Sequence, residues 1–193
     1  MRPLFSVHAG EFLVGNEIER RFPEVTLWLP AKDTGVDLLV TNAAKSRFVT
    51  LQVKYSRTYS NPRLNAITWF KLKRTKLLRT DADLWILILW SPLTPTERQH
   101  HYVILPPRTL LKRLTAIHGR EGDLINTYFA VAPDGRCWET GGVRAEDERA
   151  IVEGRFQNPL REFTTNLDEK AWPQLKSRLR IRRPRVRPGK ESA

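Results

Sequence analysis

The stretch VDLLVTNAAKSRFVTLQVKY, residues 36–55, decides the fold of this chain. Two apolar runs rich in β-branched residues, 36–41 and 48–55, flank the polar segment NAAKSR, which is the pattern of a β-hairpin. If the turn is centred between Ala44 and Lys45, facing residues have numbers that sum to 89. Facing residues of an antiparallel pair lie on the same side of the sheet, with Cβ atoms about 4.5–5.5 Å apart. The hairpin register therefore predicts which side chains meet.

Three polar side chains share one face of this hairpin. Asp37 faces Gln52, and Lys54 lies two residues farther along the same strand, so it points to the same side. A carboxylate, an amide and an ammonium are costly to bury unless they bind one another, a metal or a substrate. A register shift of one residue would separate them. The sequence thus predicts a polar site on otherwise apolar strands.

The chemistry of these three groups suits phosphodiester hydrolysis. The Asp37 carboxylate and the Gln52 carbonyl oxygen are hard ligands of the kind that Mg²⁺ prefers. A bound metal activates water and neutralises charge on the phosphate, and Lys54 would stabilise that charge or orient the water. We expect the first helix to cover this face and to supply a further carboxylate. Its acidic candidates are Glu11, Glu17 and Glu19.

The rest of the chain predicts an α/β fold. An amphipathic helix at residues 8–22, with Phe12 on its apolar stripe, ends before Pro23. Further elements are expected as strands at 25–29, 84–90 and 101–105, a helix at 109–118, a hairpin at 126–132 and 136–140, and a closing helix capped by Asn166 or Asp168 and ending at Arg180. Residues 68–79 mix strand and helix signals. We predict a core at residues 1–120, an extension packed on it at 121–175, and a disordered basic tail at 176–193.

Composition points to a polyanionic partner. The chain has 193 residues and a formal charge of +12, of which the tail carries +7. Cys137 is the single cysteine, so no intramolecular disulfide forms. The most apolar run, residues 84–90, is far shorter than the ~20 residues of a membrane-spanning helix. We expect a cytoplasmic protein that associates with the nucleoid when bound to DNA.

The site residues resemble a known nuclease family. Gly10-Glu11 in an opening helix, Gly35-Val36-Asp37, and Gln52-Val53-Lys54 occur in that order. The arrangement resembles the PD-(D/E)XK nuclease superfamily, and it is closest to small restriction-endonuclease-like and Mrr-like members with Q-x-K in place of E-x-K. The resemblance spans residues ~8–106.

The resemblance implies a role for each site residue. Glu11 corresponds to the helix glutamate, Asp37 to the central metal-binding aspartate, Gln52 to the third ligand position and Lys54 to the catalytic lysine. It also implies a central mixed sheet of four or five strands flanked by helices, and DNA cleavage with Mg²⁺ or Mn²⁺. Gln52 replaces the usual acid, which removes a negative charge from the metal site.

Basic residues outside this motif are candidates for contacts with nucleic acid. In helical form, several residues of the basic run Lys71, Lys73, Arg74 and Lys76 would share a face that holds phosphates or is simply solvated. The other candidates are Arg57 beside the motif and Arg178, Arg180, Arg182 and Arg183 in the tail. Cleavage of both strands would require two sites, so a homodimer is expected.

Three other interpretations stay open. In the first, the protein is a non-catalytic nucleic-acid-binding protein on the same scaffold. In the second, it is a basic RNA- or ribosome-associated protein. In the third, Asp37 and Lys54 form a structural ion pair and Gln52 is solvated. The tail, in turn, would have no specific role if it serves only for solubility.

Overall fold

Two β-sheets with helices around them make up the fold. The computed structural model describes residues 4–31, 35–56, 61–92 and 98–180, which contain eight strands and six α-helices. The strands are β1 (Thr26–Trp28), β2 (Leu38–Thr41), β3 (Phe48–Tyr55), β4 (Ala66–Lys73), β5 (Leu84–Pro92), β6 (Arg98–Leu105), β7 (Leu124–Val131) and β8 (Cys137–Glu139). The helices are α1 (Leu4–Arg21), α2 (Arg74–Arg79), α3 (Pro107–His118), α4 (Ala145–Val152), α5 (Asp168–Ala171) and α6 (Pro173–Leu179).

The central sheet is mixed, as predicted. Its strand order is β1-β2-β3-β5-β6, in which the β3–β5 pair is parallel and the others are antiparallel. The β2–β3 hairpin has the predicted register, since Leu38 pairs with Leu51 and Thr41 with Phe48. The α/β fold class and the hairpin are therefore confirmed.

The two faces of the central sheet pack against different elements. On one face, Val14 and Ile18 of α1 and Leu175 of α6 pack against Leu51 and Val53 of β3. On the other face, α2, α3 and the second sheet, β4-β7-β8, enclose a larger apolar cluster. That cluster contains Trp85, Leu87, Leu110, Phe129 and Cys137, among others. Gln52 and Lys54 alternate with Leu51 and Val53, so they belong to this second face.

The first helix therefore packs on the opposite face from the one expected. We predicted that α1 covers Gln52 and Lys54, and this is wrong. A Cβ atom added at Gly10 would lie 2.8 Å from Cβ of Tyr55 and 3.3 Å from Cγ1 of Val53. These contacts place the helix backbone on the apolar side of β3. The physical reason is that Val14 and Ile18 find their apolar partners there.

Residues 68–79, whose sequence mixes strand and helix signals, form a strand followed by a helix. They comprise most of β4 and then α2. β4 pairs with β7 over eight residues, and both strands contribute to the same apolar cluster. The proposed boundary at residue 120 thus separates two strands that are hydrogen-bonded to each other, although the division into core and extension stays a prediction.

The end of the chain differs from the expected single capped helix. The helix is divided into α5 and α6 at Trp172, and neither Asn166 nor Asp168 makes a side-chain cap bond. The Asp168 carboxylate accepts the backbone N–H of Tyr102 at 2.7 Å instead. Because Leu179 is fully buried, residues 176–179 belong to the fold and the tail begins later than predicted.

None of the helices in the described ranges combines the length and the apolar character needed to cross a membrane. Residues 181–193, which make up the rest of the predicted tail, lie outside the described residues.

Candidate active site

A cleft of about 580 Å³ opens beside the C-terminal half of β3. All four residues of the predicted site, Glu11, Asp37, Gln52 and Lys54, line this cleft. Its other walls come from α1, from the segment after β1 and from Lys76 of α2. The predicted residues therefore share one cavity, although they come from three separate parts of the chain.

The hairpin register brings Asp37 and Gln52 into contact. The backbone N–H of Asp37 donates to the Leu51 carbonyl at 2.8 Å, which continues the β2–β3 ladder by one residue. The Asp37 side chain then accepts two hydrogen bonds at Oδ2, one from the backbone N–H of Val53 at 2.7 Å and one from Nε2 of Gln52. Among the described residues none donates to Oδ1, so this oxygen is the one available to a ligand.

Lys54 lies above an aromatic ring of the neighbouring parallel strand. Gln52 is the register partner of Trp85, and Nζ of Lys54 lies 5.3 Å from the centroid of the Trp85 ring. A cation at this distance from an indole face is attracted by its quadrupole. The buried ring of Trp85 thus attracts the ammonium group of Lys54, which lines the cleft.

Gly10 brings Glu11 to the edge of the cleft. The close approach of α1 to Val53 and Tyr55 leaves no room for a side chain at position 10. The next residue, Glu11, then reaches the cleft from the opposite face of β3. Its Oε2 lies 2.7 Å from Nδ1 of His8, one helical turn earlier. Glu11 therefore lines the cleft, although its helix packs on the Val53 side of β3 rather than on the polar face.

The oxygen donors of the cleft fit a divalent cation. Two carboxylates, Glu11 and Asp37, and the carbonyl oxygen of Gln52 are the hard ligands that Mg²⁺ and Mn²⁺ take. The described residues contain no group of three His, Cys, Asp or Glu side chains that could hold a metal ion. In a metal site built from the described residues of this cleft, the amide of Gln52 would supply the third ligand. This requires its oxygen rather than Nε2 to face the ion, a rotation of one side-chain torsion.

The basic run after the hairpin is distributed over two elements. Lys71 and Lys73 are exposed on β4, so the shared helical face that we expected is not formed. Arg74 begins α2, and its guanidinium donates to Gly122 O, Thr115 Oγ1 and Gly119 O within 3.0 Å. Those bonds give Arg74 a structural role.

One residue of that run does reach the cleft. Lys76 lines the cleft and also a smaller groove of about 290 Å³ beside it, which Arg79 borders as well. The two side chains are three residues apart on α2 and so lie on one side of the helix. The helical periodicity of residues 74–79 is the sequence signal that places Lys76 and Arg79 on one side of a helix. The strand-like residues directly before residue 74 obscure this periodicity.

The remaining predicted contacts are placed away from the cleft or are not described. Nη1 of Arg178 lies 3.7 Å from Oδ1 of Asp83, near the beginning of β3, and Arg180 follows directly after α6. Arg57, Arg182 and Arg183 lie outside the described residues. Cys137 is fully buried and burial raises the pKa of its thiol, which argues against a nucleophilic role.

No family model, curated protein or solved structure matches this chain.

Proposed function

We propose that the protein is a metal-dependent DNA endonuclease of the PD-(D/E)XK type. The observation that supports the proposal is the meeting of Asp37, Gln52, Lys54 and Glu11 in one cleft. The hairpin register was derived from the turn alone, and the structure has that register. The shared side of Asp37, Gln52 and Lys54 thus follows from the register of the hairpin.

Each side chain of the cleft has a distinct task in this proposal. Asp37, Glu11 and the carbonyl oxygen of Gln52 hold the cation, which supplies activation of water and neutralisation of phosphate charge when bound. Lys54 places a positive charge where negative charge develops on the phosphate. The buried Trp85 ring, 5.3 Å from the lysine Nζ, favours this position of the charge through a cation–π attraction.

A non-catalytic DNA-binding protein on the same scaffold is the second candidate. One observation favours it: Nε2 of Gln52 donates to Asp37, so the amide satisfies the carboxylate without a metal ion. A cleft that is stable without a cation can be retained for binding alone.

The nicking of supercoiled plasmid tests the two candidates against each other. Wild type, Asp37→Ala and Lys54→Ala are compared with Mg²⁺, with Mn²⁺ and with EDTA. Lys112→Ala, at an exposed position of α3, is the matched control. We expect metal-dependent nicking by wild type and Lys112→Ala. In both cleft variants we expect a loss of about 10²–10³-fold or more, with unchanged circular dichroism.

The contrary outcomes are equally defined. Absence of nicking by wild type, together with salt-sensitive binding of DNA, would favour the second candidate. A preference for structured RNA that Asp37→Ala leaves unchanged would favour an RNA-associated protein. Relaxation that proceeds equally in all variants would indicate a contaminating nuclease and would remove the support for a site at Asp37.

The basic tail is proposed to bind the DNA backbone outside the cleft. Because Leu179 is part of the core, the truncation that tests this idea ends at Arg180. It removes the five basic residues Arg182, Arg183, Arg185, Arg187 and Lys190. The plot of log affinity against log salt should then flatten by up to ~0.9 per lost phosphate contact. An unchanged slope would leave the tail without this role.

Double-strand cleavage by one site per chain would require two copies of the protein. A homodimer is therefore part of the proposal, and sedimentation of the protein with and without DNA tests it.

A further inference from the structure

A second hollow adjoins the cleft at the ring of Phe12. The hollow has a volume of about 360 Å³ and is lined by Ala9, Leu13 and Asn16 of α1 together with Phe12, Tyr55 and His100. Phe12 lines the cleft as well, so its ring is the boundary between the two cavities.

The exposure of Phe12 has no explanation in the packing of α1. The apolar positions of this helix that face the sheet, Val14 and Ile18, are fully buried. Phe12 is 60% exposed, although it was predicted to lie on the same apolar stripe. The exposed ring of Phe12 is therefore accessible from both the cleft and the hollow.

The second ring of the hollow is held in place from behind. Tyr55 is half-buried, and its ring packs against that of Trp90 at 6.4 Å between centroids with an angle of 31° between the planes. The hollow therefore has one exposed ring on α1 and one supported ring at the end of β3. Flat apolar walls of this kind match the face of a nucleobase.

Cationic groups lie on the other side of the same strand end. Lys54 precedes Tyr55 in β3, so the two side chains point to opposite faces of the sheet. Lys54 and Lys76 line the cleft, and Arg79 extends the positive charge into the neighbouring groove. Glu11, Asp37 and Asp81 line the same two cavities, so the basic side chains are interspersed with carboxylates. Basic groups that can contact phosphates, close to aromatic rings that can stack with bases, are the combination that binds single-stranded nucleic acid.

We propose that the hollow at Phe12 receives an unpaired base of the DNA strand whose phosphate lies in the cleft. This inference rests on the proposed function and names its substrate class: strands with unpaired bases, such as ends, flaps or open regions. A base inside an intact duplex has both faces covered by its neighbours in the stack, so the protein binds single-stranded DNA in preference to duplex.

Equilibrium binding without metal tests the inference separately from catalysis. Fluorescein-labelled single-stranded oligonucleotide and the matched blunt duplex are titrated in EDTA at one salt concentration. Wild type is compared with Phe12→Ala, Phe12→Trp and Phe48→Ala. Phe48 is the matched control, because it is 67% exposed and lies at the opposite end of β3.

We expect wild type to bind the single strand more tightly than the duplex. Phe12→Ala should weaken single-strand binding by roughly tenfold to a hundredfold while it leaves duplex binding within about twofold. Phe12→Trp should retain single-strand binding, since it keeps a ring at this position. Phe48→Ala should behave as wild type.

Three results of the binding titrations would overturn the inference. They are a preference for duplex in wild type, an equal effect of Phe12→Ala on both DNAs, or no effect on either. If Phe12→Ala instead converts a dimer into a monomer in sedimentation, the ring is a contact between chains and the inference also fails. Because no cleavage is measured, a chain that binds single strands but never nicks DNA would lose the proposed function and keep this one.

Discussion

Two carboxylates of this protein, Glu139 and Asp37, lie in opposite kinds of environment. Glu139 on β8 is fully buried, and donors surround both of its oxygens. Oε1 accepts from Thr127 Oγ1 at 3.0 Å and from the backbone N–H of Gly141 at 2.9 Å, and it lies 3.0 Å from Nε2 of His118. Oε2 accepts from Nη1 of Arg161 at 2.6 Å. No residue of this network lines the cleft, the neighbouring groove or the hollow at Phe12.

Asp37 has the same functional group in an open setting. It is half-buried, both donors from the described residues fall on one oxygen, and the side chain lines the cleft. The comparison shows that a carboxylate with cations nearby is not sufficient to indicate a ligand-binding site. A site also needs an oxygen that has no donor and a space that can hold a ligand.

The largest expected effect is a difference in the free energy of unfolding between variants of the two carboxylates. Glu139→Gln should lower the free energy of unfolding by about 3–5 kcal/mol, because it leaves Arg161 half-buried without its counter-charge and turns an amide N–H₂ toward other donors. Asp37→Asn should change it by less than about 1 kcal/mol. Chemical denaturation followed by tryptophan fluorescence measures both. Similar losses in the two variants would contradict the comparison.

Next in size is the packing that holds Glu11 at the cleft. Gly10→Ala should cost about 1–3 kcal/mol and reduce nicking, since its Cβ would overlap with Tyr55 and push α1 away from the sheet. Gly15→Ala is the control in the same helix. An added Cβ there meets Leu27 Cδ1 at 3.7 Å, an ordinary contact, so it should stabilise the protein by about 0.5–1 kcal/mol. Equal effects at both positions would refute the role of Gly10.

A smaller effect is expected from restoring an acid to the open site. Gln52→Glu should lower the Mn²⁺ concentration for half-maximal nicking by roughly tenfold, because a unit charge close to the cation contributes on the order of 1–4 kcal/mol. Isothermal titration with Mn²⁺ provides a readout independent of nicking. If metal affinity is unchanged, residue 52 is not a ligand.

The smallest effect concerns carboxylates that have donors but lie near the surface. Glu169 accepts two hydrogen bonds from Arg21, at 2.7 and 2.6 Å, which lower the pKa of Glu169. Burial acts to raise the pKa of Glu17, but hydrogen bonds from Arg20 and Arg21 outweigh it and the pKa is lowered. A carboxyl group whose pKa is lower in the folded state than in the unfolded state stabilises the protein at pH values above the unfolded pKa, which is near 4.5. This contribution is lost as the pH falls through the folded pKa.

Thermal unfolding at pH 7 and pH 3 checks this sign. Arg21→Gln should cost on the order of 1 kcal/mol at pH 7, because the exposed Glu169 makes its pair with Arg21 a screened one, while the pair with Glu17 is only half-buried. The difference from wild type should shrink at pH 3. A larger difference at pH 3 than at pH 7 would show that the contacts of Arg21 do not depend on these carboxylates.

The hairpin and its polar face could be predicted because their determinants are local. The segment NAAKSR fixes the turn, and alternation then fixes the sides of Asp37, Gln52 and Lys54. The same holds for the helix that begins at Pro107, whose ring suits the first turn.

The errors arose where the choice depends on distant partners. The apolar stripe of α1 does not determine which face of the sheet the helix covers. The close approach of Gly10 to Tyr55 shows which face it is. Phe12 fits the stripe by spacing and is nevertheless exposed. The end of β4 at Lys73 could not be located, because Lys and Leu suit both a strand and a helix and the pairing partner is β7.

The connection between the parallel strands β3 and β5 carries β4, and β4 pairs with β7 alone, so it is an edge strand of the second sheet. During translation β4 leaves the ribosome before residues 74–123, and at cellular rates its partner follows several seconds later. For that interval the strand has no ladder to join. Lys71 and Lys73 are exposed on this strand, and charged side chains on an edge strand disfavour its pairing with another chain.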